Sequence, residues 1–176
     1  MMGASWVVEY LVDVGAVDRR LADLVERFVL SSDPETAVVL ASSIELKVAP
    51  PSGGLSASSS GVVSALIANL PTMAAPIRPC AVALLAQVAG SLLHVHPVVE
   101  RDVLKALVNA LPSIAALAQH GDAELLADFV DLAALCAALD RSAAGQVAFY
   151  LQRIVVEVGG KIGASAQVEL EQLGAS

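Results

Sequence analysis

Two histidines one residue apart, His94 and His96 in HVHP, come closest to metal chemistry in this sequence. In an extended stretch both imidazoles would point to the same side, as two ligands of one ion must. A metal site needs three or four ligands, however. Glu100 and His120 are the further donor types in reach of the argument, and a turn between helices with exposed histidines accounts for the same pair. No metal and no cofactor is therefore assigned.

Three other patterns invite chemistry. VGGKIGAS, from Val158 to Ser165, has the glycines of a phosphate-binding turn, but a Walker sequence requires glycine where Val155 stands and serine or threonine where Ile162 stands. Gly159 and Gly160 fit a helix stop better. Cys80 and Cys136 lie in apolar helical contexts without a histidine partner in sequence, so a thiol enzyme is disfavoured and no catalytic residue is named. The third pattern is acidic. Glu124, Asp128 and Asp131 fall at i, i+4 and i+7 behind Asp122, and no Lys or Arg occurs between Lys105 and Arg141. Such a ridge is either a solvated helix face or a docking site for a Lys- or Arg-rich segment of a protein partner. Paired carboxylates also serve acid/base catalysis, but no histidine, nucleophile or cleft signal converges on them.

The elements that must position these residues follow from composition and period. The chain has 176 residues, enough for one core and short for two, so one helical domain over 1–176 is expected. Hydrophobic residues make up 56% but aromatics only 3%, the excess being Ala, Val and Leu. Such side chains suit closely packed helices. A net charge of -8 disfavours nucleic acid, whose phosphates need clustered Lys and Arg. Two cysteines are too few for a disulfide framework and read as free thiols in a reducing compartment.

Along the chain, Trp6, Val7, Tyr10, Leu11 and Val14 predict a short first helix from Ser5 to Gly15. Val17, Leu21, Leu24, Val25, Phe28 and Val29 form the stripe of a second, and Asp33-Pro34 opens a third that runs to about Lys47. The stretch from Val48 to Ser60, rich in Pro, Gly and Ser, predicts a loop or insertion. Helical pattern resumes over 61–70, 76–93 and 97–110. Leu111-Pro112 is expected to break the last of these and start a short helix to Gln119. Gly121 turns the chain, Asp122 caps a helix to Leu139, and two more are expected near 142–158 and 164–173. RIVVEV, from Arg153, is β-branched but has no partner strand and reads as a helix end.

Four helix starts share one look: SDPETAVVLASSIEL, APIRPCAVALLAQVA, HPVVERDVLKALVNAL and GDAELLADFVDLAALCAAL. LPSIAALAQHGDAELLADFVDLAALCAAL, from Leu111 to Leu139, resembles one full unit of the HEAT and armadillo repeats: a proline-led helix, a tight Gly-Asp turn and a longer Ala/Leu-rich helix. Pro34 and Pro76 lie about one such repeat apart. The irregular units are also similar to those of importins and exportins. Arg78 and Arg101 match the basic residue common after the turn in HEAT units, whereas Leu126 and Ala127 follow Asp122, and the loop from Pro50 to Ser60 interrupts the register. The resemblance implies an all-α fold of stacked antiparallel helix pairs, an α-solenoid or an irregular bundle. It also implies a noncatalytic scaffold or adaptor, part of a larger assembly or self-associating, because stacked repeats leave apolar ends to cover.

Two alternatives stay open. Residues 79–99 are apolar enough to raise a membrane-associated protein, yet they include Pro79, Gln87, Ser91, His94, His96 and Pro97 and lack interfacial Trp or Tyr, so a membrane is disfavoured. A small metal-dependent enzyme or regulator would use His94, His96, Glu100 or His120. The start, with Glu9 and Asp13 and no early Lys or Arg, lacks the pattern of a secretory signal. A cytoplasmic or nuclear location is the expectation.

Overall fold

Aspartates set the helix starts. In a computed structural model, which describes residues 17–51, 55–93 and 101–175, Asp18 Oδ1 accepts from the Leu21 amide at 2.9 Å, Asp33 Oδ2 from that of Thr36 at 3.1 Å and Asp122 Oδ1 from that of Leu125 at 2.8 Å. Each satisfies an amide that the first turn leaves without a partner. The expected helix around Trp6, and His94, His96, Pro97 and Glu100, lie outside the described residues.

Among those residues the chain is helical throughout, with no strand: α1 (Arg19–Val29), α2 (Pro34–Val48), α3 (Ser59–Asn69), α4 (Arg78–Leu92), α5 (Arg101–Gln119), α6 (Ala123–Leu139), α7 (Ala144–Glu157) and α8 (Gly160–Ala175). Two short 3-10 turns, Leu70–Thr72 and Arg141–Ala143, precede α4 and α7. RIVVEV closes α7 as helix, with Arg153 and Glu157 paired one turn apart at 3.1 Å.

Two expectations are corrected. Leu111-Pro112 does not break the chain, because α5 runs continuously from Arg101 to Gln119 with Pro112 inside it. The Pro112 ring lies on the exposed side, clear of the packing, while Leu107, Leu111, Ile114 and Ala118 are buried on the other. Burial on both sides of the proline outweighs the lost hydrogen bond. The Ser-rich end of the expected loop is also shorter than its composition indicates. α3 starts at Ser59, which is itself buried; Leu55 packs on the core and the Ser56 amide donates to the Val48 carbonyl at 2.8 Å.

The helices pack by a regular rule. α2 lies on α4, α4 on α6 and α6 on α8, forming one row, while α1 lies on α3 and α3 on α5 in a second. Neighbours in sequence, notably α1 with α2, α5 with α6 and α7 with α8, join the rows. The α4–α6 contact is the most extensive, and its helices bury Ala81, Val82, Val88, Ala89, Ala133 and Ala137. Short side chains let helix axes approach closely. A continuous apolar cluster extends from Val17 to Ala166. Among the described residues no helix is long and apolar enough to cross a membrane; α4, within the 79–99 stretch, ends at Leu92.

α7 stops at a glycine pair. Gly159 and Gly160 have φ of 65° and 61°, the left-handed region that L side chains enter at a cost of about 1–2 kcal/mol each. Gly159→Ala and Gly160→Ala should each lower unfolding stability by about that amount in urea titrations. Gly174→Ala, in a helix with open space around it, should be neutral or stabilising.

Candidate functional site

α6 occupies the middle of the longer row and carries the acidic ridge. Asp122 caps it, and its aspartates follow the apolar stripe of Leu125, Phe129, Leu132 and Cys136, which turns into the core. Asp131 stands exposed and Asp128 is half-buried. Glu124 and Asp128 both act electrostatically on Cys80 near the start of α4, which places this stretch of the ridge beside the α4–α6 seam.

Asp131 leads into an open groove of about 850 Å³. Its floor is α6, with Ala134, Leu135 and Ala138; α4 contributes Gln87 and Gly90 to one side and α8 contributes Glu169 and Leu173 to the other, with Arg141 also on the lining. The surface thus combines small and apolar side chains with two carboxylates and one guanidinium.

The ridge is electrostatically crowded. Burial, then repulsion from Glu124, Asp131 and Asp122, pushes the Asp128 carboxyl from 3.8 up to about 6. Burial also raises Asp131. The thiols are in the opposite state from a nucleophile's: burial, with Glu124 and Asp128, raises Cys80, and burial, with Asp140, pushes Cys136 up to about 12. Neither provides a thiolate at neutral pH.

A second cleft of about 680 Å³ lies where the end of α5 and the start of α6 meet α7 and α8. Phe129 and Tyr150 meet edge-to-face in its wall, with centroids 5.7 Å apart. Arg153 ion-pairs with Glu157, and with the Gln119 amide turned to its satisfied orientation the Gln119 carbonyl accepts from both guanidinium nitrogens at 2.9 Å. Sequence reasoning did not single out Gln119, Tyr150 or Arg153. The available signal was the i, i+4 spacing of Arg153 and Glu157; the approach of α5 to α7 carries no local mark.

His120 lines this second cleft, apart from the groove. Among the described residues no three His, Cys, Asp or Glu side chains are grouped to hold a metal ion. No protein-family model, curated protein or solved structure matches the chain.

Because the folded state holds the Asp128 proton more tightly than the unfolded chain does, this carboxyl's contribution to stability is greatest below about pH 4 and declines as pH rises through about 6. Asp128→Asn should therefore raise Tm at pH 7.5 by about 2–4 °C, the size expected for about 1 kcal/mol after solvent screening, and the gain should vanish near pH 4. At pH 8 a thiol reagent should leave Cys136 unmodified in the folded protein and react with both cysteines in urea.

Proposed function

We propose that this chain is a noncatalytic protein-interaction module, a scaffold or adaptor whose helices stack as an α-solenoid of the HEAT or armadillo kind. In this reading it holds a Lys- or Arg-bearing segment of a protein partner. The observation that carries the reading is the groove over α6, where two carboxylates, Asp131 and Glu169, outnumber the one guanidinium, Arg141, beside small and apolar side chains. The ridge of Asp122, Glu124 and Asp128 extends the negative surface along the same helix.

Charge and shape divide the work. Carboxylates draw a cationic segment in and set its register, while the alanine- and leucine-lined floor receives an apolar neighbour of that segment. The solenoid reading is supported by the packing of each even-numbered helix on the next even-numbered one, with odd-numbered helices following the same rule through α5. In a repeat array this arrangement presents one row as a continuous surface. Free Cys80 and Cys136 suit a reducing compartment, cytoplasmic or nuclear.

Selection from a displayed peptide library should enrich Lys- and Arg-containing sequences. The triple variant Glu124→Lys/Asp128→Lys/Asp131→Lys should weaken their binding by about tenfold or more, with an affinity that falls as salt rises. Equal binding by wild type and variant would remove the ridge from the function.

A further inference from the structure

The groove over α6 holds both signs of charge without joining them. Its lining carries Asp131, Glu169 and Arg141, and among the described residues the side chains of these three enter no ion pair and no hydrogen bond. The ion pair of Arg153 with Glu157 lies in the second cleft instead. Opposite charges that share a surface and do not pair leave it open to a guest that carries both.

The two signs are also separated along the groove. Asp131, Ala134, Leu135 and Ala138 follow i, i+3, i+4 and i+7 on α6, and Arg141 stands just past its end; the helix rises about 12 Å from Asp131 to Leu139. α8 runs beside α6 in the same direction, since Ile162 near its start shares the second cleft with Leu126, and Leu173 near its end shares the groove with Leu135. Glu169 precedes Leu173 by a turn and so lies toward the Asp131 end. Asp128, a turn back from Asp131, extends that negative end. At the other end Asp140 turns its carboxylate into the chain, accepting from the Ser142 amide at 2.9 Å and from the Ser142 hydroxyl at 2.6 Å. There the C-terminus of α6 meets the start of α7 at Ala144, so the two helix poles oppose each other and the exposed Arg141 sets the sign of the lining.

We propose that the groove takes a basic carboxy-terminus: Arg141 binds the terminal carboxylate of the partner peptide, and Asp131 with Glu169 take a Lys or Arg among its last three residues. This rests on the reading of the groove as a site for a basic segment. A guanidinium pairs with a carboxylate through two parallel hydrogen bonds, which the carbonyl of an internal peptide bond cannot reproduce. Ala137, Ala138 and Ala144 line the same end, and such short side chains let a main chain, where a terminal carboxylate lies, approach closely. One basic side chain and one or two extended residues, at about 3.3 Å each, cover the span between the two ends. A purely cationic guest would leave the guanidinium facing its own sign.

Fluorescence polarisation of the full chain with labelled hexapeptides bearing lysine at one of the last three positions tests the proposal. Amidating the carboxyl end should weaken binding about tenfold or more. In Arg141→Gln the free and amidated forms should bind alike, at the level of the amidated form on wild type, and Arg141→Lys should recover part of the difference. Asp131→Asn/Glu169→Gln should weaken the lysine peptides and leave their norleucine counterparts unchanged. Equal binding of free and amidated peptides by wild type overturns the carboxylate contact and leaves the basic-segment reading standing. An amidated peptide with a glutamate side chain that binds as tightly as the free acid overturns the assignment to a chain end. So does an Arg141→Gln protein that still prefers the free acid. No binding of either form at about 1 mM overturns this inference and the basic-segment reading together.

Discussion

Close burial of short aliphatic side chains between second neighbours in the chain is the interaction on which the fold depends. A core with so few aromatic rings gains little from any one residue, and burial of an average aliphatic side chain stabilises by only about 1.5–3 kcal/mol. Among the described residues Phe28 and Phe129 are the two aromatic rings fully inside. Apart from Met73 and Cys136, the remainder of the buried core is Leu, Val, Ile and Ala spread over all the described helices. Such a core is built by extending contact area, and most of the helices therefore meet the second helix along as well as a sequence neighbour. Two rows satisfy that demand.

The same demand explains where polar chemistry sits. With α4 against one flank of α6 and α8 against the other, α6 has only a narrow strip left for polar groups, and its carboxylates are confined there. Confinement makes Asp128 uncomfortable as an anion, since it loses solvent and faces like charges on its own helix. A structural role alone would be served as well by asparagine. The retained charge is thus a cost to the fold that a cationic partner would offset, in keeping with the proposed function.

Helix starts were the most legible part of the sequence. Asp33-Pro34 and Gly121-Asp122 mark them through side-chain oxygens within reach of free amides, a signal written in adjacent residues. The spacing of Glu124, Asp128 and Asp131 likewise followed from helical period alone. The proline at 112 misled because the decisive energy comes from side chains several residues away meeting other helices, which local rules do not weigh. Ser59 misled in the same way: serine favours loops until its neighbours Val62, Val63 and Leu66 find a core. The groove walls, drawn from helices some forty residues apart in sequence, left no local trace.

The alanines of the α4–α6 seam have a mechanical consequence. Alanine has no side-chain torsion to yield under load, so bending the row there would have to move backbone against backbone. The α4 wall of the groove is therefore held at a nearly fixed distance from its α6 floor. A guest would be sorted by the reach and girth of its side chains, as a key is by its wards, with little remoulding of the host to follow it.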